Sequence, residues 1–444
     1  MIFLLQQNSL KKYKVLNRDL AGGFGTATHF GDSILTRILT FSKKKTVSLP
    51  SIDLAYIASV LKRNGKDVVY ADDIDRITNE AKLIIIRSSI VDYNSDIQAS
   101  QRLKDKLGDK VKIGFIGTFS SIMPDLYLPY ADFVLIGEGE NYFLSHEDIA
   151  FDELKGIINV GRLINLDELP FPLWELYDYA KFSYFPALKS KPFFPILSSR
   201  GCSLSCAYYC PYPLISGRTV RYRSVENVIK EIKYLKNKYA MKSLLFRDPI
   251  FTFNKKRAAL IAKEIMKSDI KVEWACETRL DLLDEKLIDL LYSAGLRAFN
   301  IGIESSNEDI LKASKRKPIE RNYQERMIKY CHEKGIKISA FYIIGLPEDN
   351  EESILQTIKY AKYLNTNIAQ FTICTPYPAT KFYDENRDLI FEKDWEKFDA
   401  YTPVFNYGKV SPNQLLKLKD YAHRSYYFRL KWGWTFLKNN LISS

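Results

Sequence analysis

The sequence predicts an α/β protein built from two strand–helix series. The first, over residues 1–150, is a doubly wound parallel sheet. The second, over residues 188–400, is a partial (β/α)6 TIM-like barrel. A linker at 151–187 joins them, and a helical, aromatic and basic segment follows at 401–444. Three observations predict this arrangement. Short apolar runs alternate with stretches of helical period. The runs are apolar throughout rather than every second residue, as in strands covered on both faces. From Phe193 onward six more strand–helix repeats follow in series, the count of a partial barrel.

Within the first series, Ile2-Phe3-Leu4-Leu5 predicts a strand. Asp53 to Arg63 predicts a helix, with Leu54, Ile57, Ala58 and Leu61 on one face and Asn64-Gly65 as its stop. Val68-Val69-Tyr70, Leu83-Ile84-Ile85-Ile86, Val111 to Ile116 and Phe133 to Ile136 predict further strands, with a helix from about Ser95 to Leu107. Ligands of such sheets sit beyond the carboxyl ends of the strands. The loops there are Asn8-Ser9, Arg87-Ser88-Ser89, Gly117-Thr118-Phe119-Ser120 and Gly137-Glu138-Gly139-Glu140. The run Leu169-Pro170-Phe171-Pro172-Leu173-Trp174 marks the linker across the junction.

In the second series, strands are predicted at Phe194 to Leu197, Ser243 to Phe246, Val272 to Cys276, Ala298 to Ile303, Ile336 to Ile344 and Ile368 to Thr375. Helices separate them at Val225 to Tyr239, Lys256 to Lys267, Glu285 to Ala294, Tyr323 to Lys334 and Glu352 to Leu364. Chemistry in this architecture occupies the carboxyl ends of the strands.

A chain of 444 residues has ample length for a sizeable core, and its 46% hydrophobic and 27% charged content are ordinary for a globular protein. Met1 to Gln6 is too short an apolar run for a secretory signal, and no stretch approaches the length of a membrane span. Few, unpaired cysteines point to a reducing cytoplasm. The net charge of +12 favours an anionic partner or a plainly basic, solvated surface. The four histidines are far apart, and neither a Ser/His/Asp set nor a phosphate-cradling glycine loop is present, so no acid–base residue is assigned a catalytic role.

Three of the six cysteines, Cys202, Cys206 and Cys210, fall within nine residues. Thiolates are the preferred ligands of iron–sulfur clusters and of zinc. Zinc asks for a fourth ligand, and no further Cys or His lies close in sequence. A [4Fe–4S] cluster with one iron left open fits the count better. The alternative is three small buried residues on one helix face, since spacings of four and four trace one stripe.

The stretch Arg200-Gly201-Cys202-Ser203-Leu204-Ser205-Cys206-Ala207-Tyr208-Tyr209-Cys210-Pro211 resembles the cluster loop of the radical S-adenosylmethionine (radical SAM) enzymes. The family pattern is Cys-x3-Cys-x2-Cys, whereas this chain reads Cys-x3-Cys-x3-Cys, and the extra residue predicts a small bulge at Tyr208. The resemblance runs over nearly all of residues 193–378. It implies that Asp248, in Phe246-Arg247-Asp248-Pro249, holds the amino group of S-adenosylmethionine; a helix cap is the plainer alternative. It implies that Arg279 reaches the cofactor's carboxylate, against a structural salt bridge. Glu304 and Ser305, in Gly302-Ile303-Glu304-Ser305-Ser306, are implied contacts to the ribose or methionine part. Ile344 and Gly345, in Ile344-Gly345-Leu346-Pro347, are implied neighbours of the adenine, against a plain strand-to-helix turn, and Tyr209 lies near cluster and adenine.

Residues Pro50 to Leu61, Ala131-Asp132-Phe133-Val134 and Gly137-Glu138-Gly139-Glu140 resemble the cobalamin-binding domain that precedes one large group of radical SAM enzymes. The signature that supplies a histidine to cobalt is absent, so the resemblance implies either cobalamin or the bare scaffold. Relatives that modify hopanoids and other isoprenoid lipids look similar at Arg221 to Val228 and in the tail. The implied activity is therefore radical modification of an unactivated carbon, by methylation, cyclisation or carbon–carbon bond formation, on a lipid or other hydrophobic metabolite. The implied partners are that substrate and a reductant such as ferredoxin or flavodoxin. The basic, aromatic stretch 411–444 predicts a peripheral membrane contact or a helix packed over the barrel mouth. An RNA-modifying enzyme such as a methylthiotransferase is the first alternative, but the cysteines of its second cluster are missing. A non-catalytic scaffold with an altered cluster loop is the second.

Overall fold

The computed structural model describes residues 1–7 and 14–438. Six strands form the first sheet: β1 (Ile2–Leu5), β2 (Val68–Ala71), β3 (Leu83–Arg87), β4 (Lys112–Ile116), β5 (Phe133–Gly137) and β6 (Gly156–Gly161). Their order is β2-β1-β3-β4-β5-β6, every pair parallel. The five residues of β3 are all buried, as a strand covered on both faces requires. Helices α1 (Ile34–Thr46), α2 (Ile52–Arg63) and α3 (Tyr93–Leu107) belong to this half. The chain reverses its winding between β1 and β3, which opens a crevice at their carboxyl ends. The predicted loop Asn8-Ser9 at that edge lies outside the described residues.

The second sheet takes β7 (Phe193–Ile196), β8 (Ser243–Phe246), β9 (Glu273–Thr278), β10 (Leu296–Glu304), β11 (Lys337–Ile344) and β12 (Ile368–Ile373) in sequence order, all parallel. Helices α4 (Val225–Tyr239), α5 (Lys255–Lys267), α6 (Glu285–Ser293), α7 (Arg321–Glu333) and α8 (Glu351–Leu364) alternate with them. Four of the five starts carry side-chain caps: Ser224, Asn254, Asp284 and Asn350 each accept a backbone N–H of the first turn. Two further helices close the chain, α9 (Pro412–Tyr427) and α10 (Leu430–Leu437). Among the described residues no helix is long and apolar enough to cross a membrane.

Two differences from the sequence reading carry physical content. The stretch 151–187, read as a linker, contributes β6 to the first sheet and a short strand, Ser183–Tyr184, that pairs antiparallel with Val47–Ser48. As an edge strand β6 is half-buried on alternate residues and exposed on the others, so its four central residues between glycines give a weak signal. Trp174 is fully buried against Phe182 and Phe194, and the Leu173 N–H donates to the Ala55 carbonyl at 3.0 Å. One hydrophobic core thus runs from α2 through this stretch into the barrel. The second difference is α1, which the sequence reading lacks. Its inner face carries Thr36, Thr40 and Lys43, while Ile34, Ile38 and Phe41 face outward. That inverts the usual helix pattern, so hydrophobic periodicity points the wrong way.

Candidate functional site: the cysteine loop and the barrel cavity

The three cysteines directly follow β7, at the carboxyl end of the barrel. Ser199–Arg200 pairs antiparallel with Arg221–Tyr222, which clasps the loop at its base. Gly201 has φ +97°, and a Cβ there would stand 2.2 Å from the Thr219 carbonyl oxygen, so only glycine fits the entry to the loop. The Cys202 N–H donates to the Gly217 carbonyl at 3.0 Å, and Arg218 Nη2 donates to the carbonyls of Ser203 and Leu204. A short 3-10 turn covers Ser205–Tyr208, and the Cys210 N–H donates to the Cys206 carbonyl at 2.8 Å. The extra residue is taken up in that helical turn. Tyr208 swings out to donate to Glu385 Oε2 at 2.6 Å, and Tyr209 turns inward beside Glu304 and Arg316.

The cysteines therefore do not share one helix face. All three are free thiols. Burial, then the adjacent Cys206, pushes the Cys210 thiol up; burial also raises Cys202. Thiols that repel each other's ionised form in this way suit a cation that binds them together as thiolates. Among the described residues no three Cys, His, Asp or Glu side chains converge tightly enough to hold a single metal ion.

The other predicted residues divide into two groups. Tyr209 and Glu304 face the same cavity as Cys206 and Cys210. Glu304, at the end of β10, has φ +66° beside a register shift, a left-handed conformation that costs a non-glycine residue energy. Burial raises its carboxyl pKa, while Arg316, 3.2 Å away, opposes the rise. Asp248, in contrast, is fully engaged. Its oxygens accept the Ser198 N–H at 2.7 Å and the hydroxyls of Ser198 and Ser199 at 2.6 Å each, and Arg257 backs Ser198. Asp248 therefore anchors the root of the cysteine loop. Arg279 forks onto Asp281 at 2.9 and 3.0 Å, the structural salt bridge. Ser305 turns to Thr357 and caps Asn307. Ile344 is buried, and Gly345 packs toward Tyr407 and Leu415 while its N–H donates to Asp349 at 3.0 Å. Neither residue lines the cavity.

That cavity, about 500 Å³, extends from the cysteine loop to Ile368 at the start of β12. Cys206, Tyr209, Cys210, Glu304 and Arg316 form one end. A polar belt follows, with Asn300 and the ion pair of buried Arg247 with half-buried Glu277. The far end is apolar, with Leu39 and Val47 of the N-terminal half, Phe185, Pro186, and Trp432 and Phe436 of α10. Helix α1 closes the open side of the barrel, where Lys43 Nζ donates to Gln370 Oε1 at 2.9 Å.

The Radical SAM superfamily model matches residues 196–361, from the end of β7 into α8. Over those residues the chain is similar to that superfamily. Over 412 residues it is 28% identical to an uncharacterized methyltransferase of Pyrococcus horikoshii, covering 86% of this chain and 88% of the relative. It is 27% identical to an anaerobic magnesium-protoporphyrin IX monomethyl ester cyclase of Rubrivivax gelatinosus, covering 83% and 72%. Among solved structures it superposes on the radical S-adenosylmethionine methyltransferase TsrM of Kitasatospora setae, solved with cobalamin and a [4Fe–4S] cluster, with TM-score 0.61, 14% identity and coverage of 87% and 77%. At that identity the likeness shows a shared two-part fold.

The crevice of the first sheet is small. Its volume is about 180 Å³, whereas pockets for drug-sized ligands measure about 300–1,000 Å³. Arg87 Nε spans both Asp53 oxygens at 3.1 and 2.8 Å, and its Nη2 reaches Asp19 at 2.8 Å. Arg200 pairs with Glu138 at 3.2 Å and Glu140 at 2.5 Å, and Arg221 forks onto Glu138, so the Gly137 to Glu140 loop is tied to the cysteine loop. The segment Ala21–Gly23 plugs the space between the halves; a Cβ on Gly22 would stand 2.7 Å from Tyr212 Cα. As the chain stands, a corrin at this crevice would have to displace Ala21–Gly23.

Sequence reasoning missed Arg316, Arg247, Glu277 and Lys43. Arg316 sits in the basic run Lys315-Arg316-Lys317, which reads as a solvated patch, yet it is buried. Arg247 and Glu277 adjoin residues already singled out, and their position at strand ends was the available signal. Lys43 carried none.

Proposed function

We propose that this chain is a radical SAM enzyme that holds a [4Fe–4S] cluster on Cys202, Cys206 and Cys210 and uses S-adenosylmethionine to start methyl transfer or ring closure at an unactivated carbon of a hydrophobic substrate. One observation carries the reading: a 500 Å³ cavity, polar at one end and apolar at the other, begins at Cys206 and Cys210. When bound, the cluster and S-adenosylmethionine supply reductive cleavage of a carbon–sulfur bond and hydrogen abstraction by the radical so formed. The protein's own work is placement and exclusion of water. Arg316 and Glu304 offer a guanidinium and a carboxylate side by side, matched to the carboxylate and ammonium ends of the S-adenosylmethionine methionine part. Tyr209 flanks them. Asp248 and Arg279 act one step back: Asp248 fixes Ser198 and Ser199 ahead of Cys202, and the charge of Arg279 acts on Cys202 and Glu304. The apolar far end takes the body of a lipid-like or other hydrophobic substrate. The relatives named as a methyltransferase and a cyclase support those two outcomes, and a ferredoxin- or flavodoxin-type reductant supplies the electron. No step here depends on cobalamin.

Anaerobic reconstitution tests this. The expected result is roughly four irons per chain and, with reductant, release of 5′-deoxyadenosine; Cys206→Ala abolishes both. A folded wild-type chain that takes up no iron under these conditions would overturn the proposal and leave a scaffold.

A further inference from the structure

We propose that the outward faces of α1 and α10 form one basic–apolar docking surface for an anionic phospholipid bilayer, set at the apolar end of the barrel cavity. The inner faces of these two helices line that end: Leu39 and Lys43 of α1, Trp432 and Phe436 of α10. Their outer faces are apolar as well. On α1, Ile34, Ile38 and Phe41 are 77%, 55% and 63% exposed. On α10, Leu430, Trp434 and Leu437 are 95%, 65% and 43% exposed. Each set follows i, i+4, i+7 spacing, so each is a single stripe along its helix. Scattered exposed apolar residues need no explanation; two such stripes on helices lining one cavity do.

The charge pattern selects the occupant. Exposed basic residues border both stripes: Arg37, Lys44 and Lys45 on α1, Lys431 and Lys438 at α10. Neither helix contains an acidic residue. A second protein copy would have to neutralise this one-signed surface, whereas anionic headgroups do so directly and the acyl region receives Ile38, Phe41, Leu430 and Trp434. Helices of 13 and 8 residues lie in the interface; neither is long enough to span it. The helices that meet lipid are thus also walls of the cavity, which gives a membrane-dissolved substrate a short path inward. That last clause rests on the proposed reading of the cavity; the docking itself does not.

The test is co-sedimentation of the full chain with vesicles of phosphatidylcholine alone and of phosphatidylcholine with phosphatidylglycerol. Binding is expected only to the anionic vesicles, and it weakens as salt is raised. Ile38→Ser with Phe41→Ser, Leu430→Ser with Trp434→Ser, and Arg37→Glu with Lys45→Glu should each lower the apparent affinity on the order of tenfold or more. All these positions are exposed, so circular dichroism and the melting curve stay those of wild type. No vesicle binding by wild type, or binding unchanged in all three variants, overturns the proposal. So does wild-type dimerisation that the variants abolish, which assigns the faces to a second copy. Cys206→Ala separates the two ideas: it should lose iron and keep vesicle binding.

Discussion

At the residue scale, the cysteine loop depends on one backbone conformation. Gly201 enters at φ +97° with the Thr219 carbonyl 2.2 Å from where a Cβ would be. Gly201→Ala should cost about 1–3 kcal/mol of strain, small against the fold but concentrated at the loop's root. The expected outcome is a chain with near-wild-type circular dichroism whose iron uptake on reconstitution falls several-fold. Normal iron uptake would show that the loop tolerates another path between Arg200 and Cys202. At this scale the sequence was most legible where chemistry and spacing coincide. The cysteines, Tyr209 and Glu304 were readable from the order of residues, and all face or border one cavity apart from Cys202, which opens the loop. Asp248, Arg279 and Ser305 were readable as positions but not as partners. Their hydrogen bonds go to Ser198, Asp281 and Thr357, and those choices depend on which strands and helices come together.

At the scale of the element, α9 docks onto β12 through a histidine that must stay neutral. His423 Nδ1–H donates to the Lys419 carbonyl at 2.9 Å, and Nε2 accepts the Phe371 N–H at 3.3 Å. Burial is the main cause that lowers its pKa to about 3, from the ordinary 6.5. The unfolded chain therefore binds a proton between those values that the folded chain refuses, so stability is lost as pH falls from about 6.5 toward 3. Burial likewise lowers Lys43 and Lys419 to about 8, so stability rises as pH increases from about 8 to 10.5. Urea unfolding across pH should show both limbs. His423→Gln, which keeps an acceptor for the Phe371 N–H, should flatten the acid limb; an unchanged acid limb would mean that other groups carry it. Helices α2 to α8 were legible because each buries a regular apolar stripe. Helix α1 was not, because it buries threonines and a lysine against the cavity and shows its apolar side to the outside.

On the scale of the whole molecule, the two halves behave as one body around a crevice and a cavity. The shared core through Trp174 and the Arg200–Glu138–Glu140 pairs join them. Ala21–Gly23 fills part of the crevice, so a corrin bound there would have to displace it. Gel filtration after incubation with hydroxocobalamin, followed by hydrogen exchange, tests that coupling. Retained corrin absorbance should come with faster exchange around residues 20–25. Retention with that segment unchanged would overturn the reading of a closed crevice, and absence of retention would restrict the cofactors to the cluster and S-adenosylmethionine.

By itself the sequence determined the two strand–helix series, the order of the strands along the chain and the crowding of three cysteines within residues 202–210. Those features are local: apolar runs, caps and ligand spacing are written in neighbouring residues. Only the tertiary structure decided that the supposed linker is part of the core, that Arg316 and the Arg247–Glu277 pair line the cavity, and that the cobalamin-type crevice is plugged by the chain's own Ala21–Gly23. Each of these rests on contacts between residues far apart in sequence, whose burial and charge pairing exist only once both halves have folded against each other.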